Sequence, residues 1–418
     1  MIKPSSEGFF LHLSKAMGEG KLKDKIKQRD YKLQSLLEIT NAINANLSVE
    51  ELVQQYRIIL SDQLHIPQIL LFIFDDQPTC WIQHGFEDTG KWETHVYELY
   101  KRTTTKIQTI SLDHSHVVVI PIEKDGSPIA FVILGDGDEE LIEMSPSLKH
   151  MRFVQTLTGV LVVAIQNKKL VEQTIAQAAI QRELQLAAEM QNLLLPKNLP
   201  QNQLLKVDAF YNAHGQVGGD YYDFFFTPNN GWMACIADVS GKGISAAFLM
   251  ASVQAHVQSF IKTQGYNLKE LIIQLNDVIN KNANGEKFVT FFIAQYHPNQ
   301  NQLEFINCGH NPALLFHHNS KNHQWLGAQI PGLGMIDQLP KFESKWVDFN
   351  QNDELLCYTD GLVEIENPQQ EAFGEDNILE IIMKKSNGNT SENLINAVEN
   401  FRNGMPYLDD IAILSIQM

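Results

Sequence analysis

Cysteine is scarce: four residues in 418, Cys80, Cys235, Cys308 and Cys357, sit in apolar runs such as Met-Ala-Cys-Ile and Leu-Leu-Cys-Tyr. None has the Cys-x-x-Cys spacing that would clamp zinc, and in these apolar runs they read as buried, reduced thiols. No Cys-x5-Arg loop is present, so cysteinyl-phosphate chemistry has no nucleophile. The Gly-Lys-Gly at 241–243 lacks the Gly-x4-Gly-Lys-Ser/Thr spacing of a P-loop, which removes the support for a nucleotide cradle there. Basic charge is also short. Against 49 acidic residues stand 32 lysines and arginines, a net charge of −17, which argues against nucleic acid or an anionic membrane as partner. The first twenty residues lack a continuous apolar segment, and no stretch reads as approaching the ~20 apolar residues that span a bilayer. A cytoplasmic location is the expectation.

What is present is ordinary globular composition, 44% hydrophobic and 19% charged, at a length that predicts two or three domains. Residues 33–47 carry leucine and isoleucine at helical period, and Ser48 followed by Val-Glu-Glu opens a second helix with a capping box. Short β-rich runs at 68–74 (QILLFIF), 80–83, 117–121 and 129–134, then a helix at 147–166, complete a helix-flanked sheet over residues 30–168, preceded by a segment 1–29. Residues 168–195 contain neither glycine nor proline and place apolar residues on a heptad grid interrupted by Gln173, Gln177 and Gln191. The segment 169–196 therefore reads as a helical linker, either a coiled coil between two copies of the chain or one helix packed on its own domain. Residues 197–418 group strands (232–237, 288–296, 303–306, 313–316, 354–358, 411–416) apart from helices (243–264, 268–282, 376–385, 391–403), the pattern of an α+β fold.

In that last region carboxylates fall where apolar strands end or are interrupted: Asp220 and Asp223 in GGDYYD, Asp238 in CIADVSGKG, Asp360 in LLCYTDG, and Asp409-Asp410 before IAILSI. Glycines 218, 219, 241, 243 and 361 stand beside them and permit close backbone approach or a tight turn. An Asp-Gly pair alone is a turn. Clustered carboxylates, however, repel unless cations neutralise them, and oxygen ligands without His or Cys select magnesium or manganese over zinc. The order of these segments therefore points to a binuclear site for two divalent cations, Mn2+ or Mg2+.

The segments ELQLAAEMQNLLLP (183–196), VGGDYYD (217–223), ADVSGKG (237–243), VTFF (289–292), NCGHNP (307–312), PGLG (331–334), YTDGLVE (358–364), Phe373-Gly374 and DDIA (409–412) resemble, in order, the bacterial SpoIIE-type branch of the protein phosphatase 2C family. The resemblance implies an αββα sandwich of two stacked antiparallel sheets flanked by helices. By position it implies Asp220, Asp238, Asp360 and Asp409 as the catalytic, metal-holding residues, with the Val239 carbonyl and, more weakly, Asp410 as further ligands. It implies hydrolysis of phosphoserine or phosphothreonine by a metal-activated water, on a phosphorylated STAS-type partner protein. Asp223 fits a ligand through water or a structural hydrogen bond equally. His310 reads as a turn histidine rather than a general acid, Lys242 as a phosphate contact or a surface lysine, and Glu364 and Asn367 match the family without a derivable role.

Residues 34–74 and the hairpin PIEKDGSPIAFVILG resemble a GAF domain by pattern, with a PAS-like sensor as the rival. That resemblance implies a sensor and dimerisation unit that either holds a small ligand or is empty, in a homodimer. The alternatives to a protein phosphatase are a catalytically dead scaffold and a hydrolase of small phosphate compounds.

Overall fold

The computed structural model describes residues 26–74, 78–87, 89–112, 115–136, 146–283, 285–384 and 388–418; the segment 1–29 lies outside them apart from 26–29, which open the first helix. The chain divides into two compact units, Met1–Gln177 and Ala178–Met418.

In the N-terminal unit, helix α1 (26–44) leads to α2 (Val49–Ile58), whose start is fixed as the sequence implies: the Ser48 hydroxyl accepts from the Glu51 N–H and the Glu51 carboxylate accepts from the Ser48 N–H. A π-turn (Ile59–Gln63) then delivers the chain into β1 (Gln68–Phe74), followed by β2 (Pro78–His84), α3 (Gly90–Lys101), β3 (Gln108–Leu112), β4 (Ser115–Lys124) and β5 (Ser127–Gly135). The strands form one antiparallel sheet in the order β2-β1-β5-β4-β3. QILLFIF is apolar throughout because both faces of β1 are covered. Ile69, Leu71 and Ile73 join the side packed by α1, α2 and the first part of α4, while Leu70, Phe72 and Phe74 join the side packed by α3. Helix α3 and strand β3 were not legible in the sequence.

Helix α4 runs unbroken from Pro146 to Gln191. The sequence suggests a closing helix at 147–166 and a separate linker at 169–196; instead one helix serves both, because no proline follows Pro146 at its start and only one glycine, Gly159, occurs along it. It stops at Gln191, and residues 192–194 turn before Pro196.

The C-terminal unit contains β6 (Lys206–Asn212), β7 (Tyr221–Phe226), β8 (Trp232–Val239), α5 (Ile244–Thr263), α6 (Leu268–Ala283), β9 (Val289–His297), β10 (Gln302–Cys308), β11 (Ala313–His317), β12 (Asn322–Leu326), β13 (Lys345–Asp348), β14 (Asp353–Tyr358), α7 (Asp360–Val363), α8 (Gly374–Met383), α9 (Thr390–Arg402) and β15 (Ile411–Gln417). Two five-stranded antiparallel sheets result, β13-β10-β9-β8-β7 and β12-β11-β14-β15-β6. Alternation assigns the faces: Ala412, Leu414 and Ile416 of β15 enter the core between the sheets, while Ile411 and Ile413 pack with α8 and α9. Helices α5 and α6 pack on the other sheet. This is the αββα sandwich.

One expectation is corrected. Both α4 and α5 contain an 18-residue window long and apolar enough to cross a bilayer. Alanine, serine and glutamine dilute their aliphatic residues, so neither presents the continuous run by which such a segment is recognised. In α5, Ala246, Leu249, Met250, Val253, Val257 and Phe260 belong to the core.

Candidate active site

The acidic positions converge at one end of the sandwich because the chain brings four strand termini there. Asp220 immediately precedes β7, Asp238 is the penultimate residue of the neighbouring β8, Asp360 follows β14 as the first residue of α7, and Asp409-Asp410 precede β15, which pairs with β14. Two close approaches require glycine. A Cβ on Gly361 would lie 1.9 Å from the Asp410 carbonyl oxygen, and one on Gly219 would lie 3.0 Å from the Val239 carbonyl oxygen. The first brings the Asp360 turn against the Asp409-Asp410 segment; the second brings the backbone before Asp220 against β8.

Burial and mutual repulsion set the electrostatics. Asp220 is 1% exposed, and its carboxyl is pushed well above the usual range by burial and then by the charge of Asp238, with smaller contributions from Asp410 and Asp360; the Thr359 hydroxyl, donating to Oδ2 at 2.7 Å, opposes the rise. Asp238 is pushed up to about 7 by burial and then by Asp360, Asp409 and Asp410. Asp360 is raised by burial and by Glu364 and Asp409. The described counter-charge at the cluster is Lys242, whose Nζ lies 2.9 Å from Asp409 Oδ2 and donates to the Leu408 carbonyl at 2.5 Å.

The remaining sequence candidates separate by what they touch. Both oxygens of Asp410 accept backbone N–H groups, Oδ1 from His214 at 2.7 Å and Oδ2 from Gly219 at 2.5 Å, so it pins the Gly218-Gly219 turn to β15. Asp223 accepts from the Tyr221 hydroxyl, the Gln258 amide and the Phe224 N–H, the structural one of its two alternatives. His310 is buried with Nδ1 at 2.8 Å from the Thr290 hydroxyl, and burial lowers its pKa to about 4. It is a neutral turn histidine. Asn367 organises its own turn, accepting from the Gln369 and Glu371 N–H groups, and Glu364 is exposed beside Asp360.

Three contributors carry no sequence signal of their own. Thr359 holds Asp220. Gln191, the last residue of α4, is buried and grips Gly218 from both sides, donating to its carbonyl at 2.6 Å and accepting from its N–H at 3.1 Å. The Tyr211 hydroxyl is buried without a hydrogen-bond partner beside Gly218, close enough to Asp410 and Asp220 that both push its pKa upward after burial.

These observations test whether divalent cations fit. Among the described residues no three His, Cys, Asp or Glu side chains gather about a single point. The carboxylates instead come from four strand ends, with Asp220, Asp238 and Asp360 raised in pKa by burial and then by neighbouring carboxylates, with Lys242 on Asp409 and with the orphaned Tyr211 hydroxyl beside them. An all-oxygen donor set with excess negative charge is the chemistry that Mg2+ and Mn2+ neutralise, and the residues fit such ions.

The fold defines a protein phosphatase 2C-like domain. Residues 228–418, most of the C-terminal unit, match the family model described as Stage II sporulation protein E (SpoIIE). Over 189 residues the chain is 30% identical to phosphoserine phosphatase RsbU of Bacillus subtilis, covering 45% of this chain and 55% of that protein. Over 187 residues it is 29% identical to phosphoserine phosphatase RsbP of the same organism, covering 44% and 45%. Protein IcfG of Synechocystis matches at 23% identity across 73% of this chain and 52% of its own length. The chain thus spans about half the length of the curated relatives it matches. Among solved structures, the SiaA-PP2C domain of Pseudomonas aeruginosa superposes with a TM-score of 0.52 at 17% identity, covering 58% of this chain and 98% of that one.

Proposed function

We propose that this chain is a Mg2+- or Mn2+-dependent protein serine/threonine phosphatase acting on a phosphorylated signalling partner, a STAS-type protein by analogy with its relatives. The observation that supports this most directly is the convergence of Asp220, Asp238, Asp360 and Asp409 from separate strand ends of a SpoIIE/PP2C-type domain, the first three with pKa values raised by burial and then by neighbouring carboxylates. Asp220, Asp238, Asp360 and Asp409, with the Val239 carbonyl, would hold two cations. When bound, such ions acidify a water and offset charge on the transferring phosphoryl group.

The protein's own residues prepare the site for that role. Thr359 orients Asp220 through its hydroxyl, Asp410 fixes the glycine turn that positions Asp220, and Gly361 lets the Asp360 turn lie against the Asp409 segment. Burial strengthens each of these interactions by lowering the local dielectric. Asp410 is thereby a positioning residue rather than a ligand.

We further propose a homodimer through α4, whose middle is exposed all round and includes Leu170, Val171, Ile175 and Ile180, and regulation of the phosphatase by the N-terminal unit, a GAF-like sensor. Gln191 supports such coupling, because it ties the end of the same helix to the residue two before Asp220.

The test is a manganese titration of p-nitrophenyl phosphate hydrolysis by wild type and Asp360→Asn, followed by a phosphoprotein panel and a nucleotide panel. Metal-dependent activity that Asp360→Asn loses, with preference for phosphoprotein, is expected. Equal rates in the two proteins would remove the mechanism, and preference for nucleotides would favour a small-phosphate hydrolase.

A further inference from the structure

In a chain of net charge −17, one cleft of the N-terminal unit has the opposite character. It occupies about 670 Å3 between the start of α1, the π-turn and the first turn of α4. Lys27, Lys32 and Lys149 line it with His65 and His150. Asp62 is the carboxylate among the lining residues, and it accepts a hydrogen bond from the Ser61 hydroxyl at 2.6 Å. None of the three lysines is ion-paired among the described residues; Lys32 lies over the Phe153 ring, 5.6 Å from its centroid. The Nδ1 atom of His150 is buried without a hydrogen-bond partner.

These groups repel one another. Burial and then Lys149 lower the Lys32 pKa, and burial followed by Lys32 and Lys149 lowers that of His150 to about 4. Unpaired cations held together around a ligand-sized cleft, with a buried ring nitrogen left unsatisfied, are the complement of an anion. Tyr31, Leu64 and Pro146 add an aromatic and apolar wall, which suits an organic body carrying the charge.

We propose that this cleft binds a small, multiply charged organic phosphate, with Lys32 and Lys149 on the phosphate oxygens and Tyr31 against the organic portion. The inference concerns the N-terminal unit and does not depend on the phosphatase reading of the C-terminal one. The acidic run Asp138 to Glu143 of the sequence, which lies outside the described residues, is the competing source of negative charge.

The experiment is calorimetry and thermal melting of the full chain in EDTA, so that the carboxylate site carries no cation and repels anions. The probes are adenosine triphosphate, inorganic pyrophosphate and citrate. Binding of the nucleotide at micromolar concentration, tighter than pyrophosphate and much tighter than citrate, with a raised melting temperature, is expected. Removing one charge-assisted contact should weaken binding about tenfold, and Lys32→Gln with Lys149→Gln together should abolish it. That double variant should melt no lower than the parent when no ligand is present, because the change relieves repulsion; retained nucleotide affinity in it would overturn the proposal. Citrate binding as tightly as nucleotide would also overturn it, by showing a generic anion patch. So would nucleotide binding that appears only after Asp138, Glu139, Glu140 and Glu143 are neutralised, since the cleft's occupant would then be the chain itself.

Discussion

At the scale of single residues the active site is a balance between buried negative charge and what offsets it. Asp220 and Asp238 have folded-state pKa values above the ordinary 3.8. The cation-free fold therefore binds protons more tightly than the unfolded chain. These groups leave its stability intact below about pH 4 and erode it as the pH rises toward and past 7, the value to which Asp238 is pushed. In EDTA the melting temperature of wild type should fall between pH 5 and pH 8 relative to that of Asp238→Asn, and manganese at pH 8 should restore it; parallel pH profiles for the two proteins would contradict the burial argument. Asp238→Asn should also lose at least about 100-fold in hydrolysis, since a ligand of the cations that would offset transition-state charge is weakened. Lys242 supplies a second residue-scale prediction. Its ammonium stands on Asp409 where a cation would compete for the same oxygen, so Lys242→Met should bind Mn2+ more tightly, by about twofold to fivefold for a half-exposed pair. Calorimetry of Mn2+ binding reads this directly, and unchanged affinity would show that the contact is inconsequential.

At the scale of elements, the parts visible in the sequence were those marked by period or by glycine. QILLFIF announced a strand, Ser48 announced a helix start, and each glycine-flanked aspartate announced a strand end where a carboxylate is presented. Helix α3 escaped because GKWETHVYELYK is rich in β-branched and aromatic residues with weak helix propensity; it forms because Trp92, Val96 and Leu99 bury one side against β1 and β5. Strands β12 and β13 escaped because they are short and lie at sheet edges, where burial imposes little alternation. The roles of Thr359, Tyr211 and Gln191 could not be read from the sequence, although Thr359 and Gln191 lie in segments that resemble the family, because those roles depend on atoms far away in the chain. Gln191 reads in sequence as a polar defect in a heptad seam and is in the structure a two-way clamp on Gly218. Gln191→Ala should therefore lower kcat about tenfold through loosening of the Asp220 turn, with KM for substrate little altered, while the loss of two buried hydrogen bonds costs about 1–3 kcal/mol of stability. Equal kcat at saturating manganese, with the stability loss alone, would show that the clamp serves packing and not the site. Gly361→Ala tests the opposing tight contact, where a Cβ would lie 1.9 Å from the Asp410 carbonyl oxygen. A loss of about 3 kcal/mol in denaturant unfolding is expected.

At the scale of the whole molecule the question is why a phosphatase-type domain is covalently continuous with a separately folded sheet unit. The connection is a single helix, Pro146–Gln191, with no glycine after Gly159 and no proline after Pro146 to break it. Its first part supplies Val154, Leu157, Leu161 and Ile165 to the core of the N-terminal unit, and its last residue holds Gly218 in the C-terminal one. Between them Leu170, Val171, Ile175 and Ile180 are more than half exposed, an apolar surface that a second copy of the same helix would cover. On the proposed regulatory reading, a ligand of the N-terminal unit acts only through the difference in its affinity for two arrangements of α4. Deleting residues 1–167 keeps the exposed middle of α4 and the Gln191 clamp but removes the anchor. The shortened chain should be monomeric or weakly dimeric by light scattering, and its manganese midpoint and kcat should differ from those of the full chain by about fivefold or more, the range of ordinary allosteric coupling. If mass, manganese midpoint and kcat all match those of the full chain, α4 is a tether, and regulation must reach the carboxylates by another route.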